Sequence, residues 1–283
     1  MTIEAPKGTA QVRPLHANAT GPEMPSLGRL EVRLARDAAD IAASQALRYK
    51  IFYEEMGARP TGEMAAVKRD FDRYDQVCDH MLVVDHTRPP NDQVIGTYRL
   101  LRQEVAEANG GFYSQGEFDL SPLISRAGDS VKFVELGRSC VHIDYRNKPT
   151  LELLWVGIMS YVHHYRLNVM IGCASLPGTD PQALSLPLAF LHHYCVAPQP
   201  WRARAQSDRY VEMNRLEKEQ VDVRDALRAL PPLLKGYVRA GAFIGEGAVV
   251  DEQFNTTDVL IIFPVAEIND RYYTRFAKQS REG

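Results

Sequence analysis

Val131-Lys-Phe-Val-Glu-Leu-Gly-Arg-Ser-Cys-Val-His-Ile143, followed by Asp144-Tyr-Arg-Asn-Lys-Pro149 and Thr150-Leu-Glu-Leu-Leu-Trp-Val-Gly-Ile158, is the stretch on which the reading of the chain turns. Its first part is a long apolar strand. In the part that follows, Leu151, Leu154, Trp155, Ile158, Val162 and Tyr165 recur at helical spacing, and Pro149 suits the first turn of a helix. Glu135 and Arg138 inside an apolar strand are costly unless they are paired or functional. Side chains alternate along a strand, so the two are expected on opposite faces. A bulge at Gly137 would bring both to one face. A buried structural ion pair and a functional site both remain open readings. Arg99, in Gly96-Thr-Tyr-Arg-Leu-Leu101, is a third charge in an apolar strand.

Working outward, Leu30–Leu34 alternates as a strand, and Asp37 is placed to cap a helix running to Gly57. Strands are expected at His80–Asp85, Val94–Leu101, Asn168–Cys173 and Val259–Phe263. Helices are expected at Pro181–Tyr194, Pro231–Arg239 and Ala266–Lys278. Strands and helices alternating around one mixed sheet predict a three-layer α/β or α+β domain. Residues 1–27, with Pro6, Pro14, Pro22 and Pro25, read as a mobile leader without a role in the fold, and 28–283 as one domain.

The chain has 283 residues, 33 basic and 36 acidic, a net charge of −3 that argues against a nucleic-acid partner. Cys78, Cys140, Cys173 and Cys195 are too scattered for a zinc cage or a disulfide framework, so reduced thiols, no metal and a cytoplasmic location are expected. No stretch reads as a membrane span.

Asp70, Asp72, Asp75 and Asp79 gather four carboxylates at a strand entrance. They read either as a solvated loop or as a site for an ammonium group or a divalent metal, because clustered carboxylates repel unless a positive group sits among them; without a His or Cys cluster beside them, an organic cation is preferred. His80 and Asp85 are five residues apart in a strand, so they cannot act together as an H-x4-D acyltransferase pair. His163-His164 and His192-His193 lie on helices, where adjacent positions diverge.

Leu47-Arg-Tyr-Lys-Ile-Phe52, Phe71-Asp-Arg-Tyr-Asp75, Gly96–Leu101 and Val134-Glu-Leu-Gly-Arg138 together resemble the acyl-homoserine-lactone synthases and their relatives in the GNAT superfamily. His142-Ile-Asp-Tyr-Arg146, Leu153-Leu-Trp155 and Gly172-Cys-Ala-Ser-Leu-Pro-Gly-Thr-Asp180 narrow the resemblance to the L-ornithine Nα-acyltransferases. The tryptophan that lactone synthases carry soon after their first helix is absent from Gly57–Phe71, which lowers that alternative. A non-catalytic binder of acyl carrier protein or membrane with the same fold is a third reading.

The resemblance implies a GNAT-like αβα domain with a mixed, mostly antiparallel sheet and an extension from about residue 200. It implies transfer of a 3-hydroxyacyl group from acyl carrier protein to the α-amine of L-ornithine, giving lyso-ornithine lipid. No tightly bound cofactor is expected, with 3-hydroxyacyl-phosphopantetheine as co-substrate. Glu135, Asp75 and Arg138 would be catalytic, with Glu135 or Asp75 as base. Arg48, Phe52, Asp72, Arg99 and Ser139 would bind substrate, with Arg48 serving either the substrate or an ion pair. Arg146, Lys148 and Thr150, before a helix lacking the pyrophosphate-cradling glycines, would meet the single phosphate of the carrier's arm. Trp201-Arg-Ala-Arg204 with Arg209 is the candidate docking surface for an acidic carrier. That segment or Tyr272-Tyr-Thr-Arg-Phe276 is the candidate contact for the cytoplasmic membrane's inner face.

Overall fold

The structure, a computed structural model, describes residues 21–268. Its main strands are β1 (Leu30–Leu34), β2 (Asp79–Asp85), β3 (Val94–Arg102), β4 (Phe133–Val141), β5 (Val169–Pro177), β6 (Phe243–Asp251) and β7 (Thr256–Pro264). They form one sheet in the order β1-β2-β3-β4-β5-β7-β6. Short strands extend both edges: Ser26–Leu27 beside β1, and Arg204–Ala205 then Phe118–Asp119 beyond β6. All pairings among the main strands are antiparallel except β4 with β5.

Helices cover both faces. Alternation assigns the sides: Val259, Ile261 and Phe263 of β7 join one core, and Leu260 and Ile262 join the other. The first core is closed by α2 (Lys148–His164), α3 (Ser185–Cys195) and α4 (Pro232–Ala240). On the opposite face α1 (Ala38–Tyr49) packs Leu47, with Ile51 just beyond it, against Leu82, Val84 and Val94. The three-layer mixed architecture is as expected. Asp37 caps α1, its carboxylate accepting from the Ala39 and Asp40 amides, and α1 continues as a π-helical turn, Lys50–Glu55.

The break in β4 exists, but one residue later than expected. Thr97 faces Cys140 and Arg99 faces Gly137, so Arg138 and Ser139 together oppose Tyr98. Arg138, rather than Gly137, takes the left-handed conformation, at φ 49°. Facing parity flips across it: Val134 and Leu136 point to the first core, and Val141 rejoins that core after the bulge. Glu135 and Arg138 are thereby brought to one face.

Beside the bulge the sheet opens. The parallel ladder of β4 and β5 holds only Phe133↔Val169, Val134↔Met170 and Glu135↔Ile171, after which the strands part. Gly172 sits at the fork, where an added Cβ would lie 2.2 Å from the Leu136 carbonyl oxygen. Gly172→Ala is therefore expected to lower stability by about 1–3 kcal/mol through forced overpacking. A denaturant midpoint equal to wild type would contradict that account.

Three expectations need correction. Met24 packs on the core and Ser26–Leu27 pairs with β1, so part of the expected leader belongs to the fold, while residues 1–20 lie outside the described residues. Of the expected closing helix, Val265–Glu267 is a single 3-10 turn, and 269–278 lie outside the described residues. Strand β6 was not anticipated. Gly245 and Gly247 interrupt its pattern, and the register shift between Ile244 and Ala248 marks a bulge there.

Candidate active site

Arg48 on α1 is fully buried, and its guanidinium gathers the aspartates that the sequence clusters. Its Nε donates to Asp70 Oδ2 at 2.7 Å, and its Nη2 donates to Asp75 Oδ1 at 2.7 Å and to the Asp70 carbonyl at 2.6 Å. Arg99 Nη1 reaches Asp72 Oδ1 at 2.7 Å and Asp75 Oδ2 at 3.3 Å. Arg138 completes the cage, 3.2 Å from Asp72 and 3.3 Å from Asp70. Its guanidinium also lies over the rings of Tyr113 and Phe254.

Three carboxylates thus meet three guanidinium groups of the same chain, which corrects the expectation that Asp72 and Asp75 await a substrate ammonium. Arg48 takes the ion-pair alternative, having no exposure to a substrate. Asp75 is also corrected as a base. Burial raises its proton affinity, but the Arg48 and Arg99 charges outweigh that and hold its carboxyl below the usual range. Asp79, the fourth acid, accepts from the Tyr161 hydroxyl at 2.5 Å, away from this cage.

Glu135, 4 % exposed, takes a different set of partners. Its Oε2 accepts from the Tyr113 amide and its Oε1 from the Ser114 amide, each at 2.7 Å, and the Ser114 hydroxyl donates to Oε1 as well. Burial pushes its proton affinity up; the hydrogen bonds from Ser114 and Tyr113 oppose this without cancelling it. One lone pair of Oε2 remains for a proton.

Glu135, Arg138 and Arg99 all line one cavity of about 530 Å³ that occupies the fork between β4 and β5. Phe52 and Ser139 line it too, Phe52 with its ring edge-on to Phe254. Met56, Leu151, Trp155 and Leu233 give the cavity an apolar stretch, suited to a hydrocarbon chain.

The residues before α2 divide. Arg146 lines the cavity, with its guanidinium on the Val141 carbonyl and Glu55. Lys148 is exposed. Thr150 is corrected: it is 1 % exposed, and its hydroxyl is spent on the Asn147 cap. Arg204 stands at the far sheet edge against Glu246 and the Tyr210 ring, so its charge is partly engaged. Residues Tyr272–Phe276 lie outside the described residues. No described helix is long and apolar enough to cross a membrane.

Sequence reasoning missed a second group: Glu117, Cys173 and Asp258, whose ligand atoms lie within 4.8 Å of one another. Cys173 and Asp258 face the cavity. Asp258 is an acid in an apolar strand, the same signal that singled out Glu135. Burial and the Asp258 charge push Glu117 up to about 7, against the weaker pull of the Cys173 thiol and Arg209; Asp251 adds to the rise. The folded state therefore holds this proton more tightly than the unfolded chain. The contribution of Glu117 to stability is greatest below the ordinary carboxylate pKa and is lost as pH rises through about 7. Glu117→Gln is expected to flatten that decline in denaturant midpoints taken between acidic and neutral pH. An unchanged slope would contradict it.

The acetyltransferase (GNAT) domain family matches residues 47–156. The L-ornithine N(alpha)-acyltransferase of Agrobacterium fabrum strain C58 is 51 % identical over 256 residues, covering 90 % of this chain and 87 % of that protein. The protein of the same name from Brucella abortus strain 2308 is 48 % identical, over 90 % of this chain and 91 % of its own length. Among solved structures, FeeM, an N-acyl amino acid synthase from uncultured soil microbes, superposes with a TM-score of 0.45 at 10 % identity, over 87 % of this chain and 94 % of that one.

Proposed function

The chain belongs to the family of L-ornithine N(alpha)-acyltransferases, and on that footing we propose that it transfers a 3-hydroxyacyl group from the phosphopantetheine thioester of an acyl carrier protein to the α-amine of L-ornithine, giving lyso-ornithine lipid. The observation that carries the reading is the fork between β4 and β5. An acid of raised proton affinity, a guanidinium group and an apolar stretch meet there in one cavity.

In the proposed reaction the amine binds as an ammonium group and gives its proton to Glu135, directly or through one water. The freed nitrogen attacks the thioester carbonyl, a C–N bond forms, the C–S bond breaks, and the carrier leaves as a thiol. Past Glu135 and Ile171 the strands no longer pair with each other, and backbone N–H groups on those edges would meet the developing oxyanion. Arg138 would hold the acceptor's carboxylate. The Arg48 cage serves as the rigid wall that fixes Arg99 and Arg138.

The test is to incubate the purified protein with 3-hydroxyacyl carrier protein and L-ornithine, following free thiol and product mass together. Ornithine-dependent thiol release matched by acyl-ornithine is the expected result. No ornithine-dependent product from an active donor would overturn the reading, and lactone formed from S-adenosylmethionine in ornithine's place would reassign the activity.

A further inference from the structure

Apart from Glu135, the acids in and beside the cavity fall into two sets. Asp70, Asp72 and Asp75 are neutralised by arginines of the chain. Glu117 and Asp258 are not. Asp258, 6 % exposed and facing the cavity, accepts from the Thr256 hydroxyl at 2.8 Å and stands opposite Ser175 in the β5–β7 register. It has no ion pair among the described residues. Glu117 accepts from the Cys173 thiol at 3.3 Å, and its one cation among the described residues, Arg209, comes no closer than 3.7 Å on a partly exposed side chain. Two buried carboxylates facing each other across a thiol are unfavourable unless a positive charge is brought between them.

The cavity reaches Asp258 and Cys173, with Glu117 directly behind them, and is also lined by Arg138, whose charge Asp258 feels. One cavity therefore offers a guanidinium group for a carboxylate and, apart from it, a buried acid pair lacking a close cation. The geometry points to Glu117 and Asp258 as the seat of the acceptor's second ammonium, the one on its side chain, so that the site reads a diamino acid rather than any amino acid. The inference rests on the reading of the chain as an ornithine acyltransferase and deepens it. An ammonium group held between two carboxylates stays protonated and cannot attack a thioester, which directs acylation to the α-nitrogen. A metal ion is the competing occupant. It is disfavoured by a donor set without histidine, and by burial that pushes the Cys173 thiol well above its usual value.

The experiment compares L-ornithine with L-norvaline, which lacks only the side-chain amine, in wild type and in Asp258→Asn, with metal content measured on the same preparations. Wild type is expected to favour ornithine in kcat/KM by about 10- to 100-fold, the usual worth of a charged hydrogen bond. Asp258→Asn is expected to raise KM for ornithine by a similar factor and to lower kcat/KM for norvaline far less, so that the preference for ornithine shrinks toward parity. Equal use of both amino acids by wild type overturns the inference even if the variant fails to fold. So does an equal loss with both in the variant, or a stoichiometric metal. Acylation of neither amino acid by wild type overturns the underlying function as well, so the two failures are distinguishable.

Discussion

Arg48→Met is expected to remove about 3–5 kcal/mol of stability, the loss typical of deleting one partner from a buried ion pair. A folded domain holds only about 5–15 kcal/mol in total, so most of the chain's margin would go. Asp70 and Asp75 would be left buried, with Arg99 and Arg138 too far committed elsewhere to replace two close hydrogen bonds. Tyr53, which donates to Asp70 Oδ1 at 2.9 Å, would be left with a carboxylate that Arg48 no longer orients. Chemical denaturation with and without Asp70→Asn checks the origin of the loss. The second substitution should recover part of the stability, because it removes one of the orphaned charges. A loss below about 1 kcal/mol, a surface-pair value, would contradict the cage.

Glu135→Gln is expected to lower kcat by about 10²–10⁴-fold, the range for loss of a general base. In wild type the rate should fall as pH drops through the raised pKa of Glu135, because protonation removes the base. In the variant this acid limb should vanish. A structural effect accompanies the change, since the amide cannot accept on both sides from Tyr113 and Ser114. Ser114→Ala separates the two effects. It removes the hydroxyl donor while leaving the carboxylate, so it should loosen the loop, lower stability and keep the acid limb. A Glu135→Gln variant with wild-type kcat would exclude Glu135 as the base.

Charges misplaced in apolar strands led directly to Glu135, Arg138 and Arg99, and the cavity contains all three. The capped start of α1 and the Pro149 start of α2 were equally readable, because capping is local chemistry. What stayed hidden depended on distant pairing. Four clustered aspartates announce a need for positive charge, but no local pattern says that Arg48, more than 20 residues earlier, supplies it. Asp258 escaped because the strand was read from Val259, three residues too late, when β7 begins at Thr256. Tyr113, Ser114 and Glu117 lie in a glycine-rich loop without periodicity, and they matter only because the fold lays that loop over β4 and β5. The bulge was inferred from Gly137, yet Arg138 bends instead, held in the left-handed region by its place in the cage and over two aromatic rings.

The most direct measurement is a structure of the protein with N-α-(3-hydroxyacyl)-ornithine bound. The amide carbonyl is expected in the fork beyond Glu135 and Ile171, the carboxylate on Arg138, and the side-chain ammonium against Asp258. An amide seated outside that fork, with Glu135 remote from its nitrogen, would contradict the account.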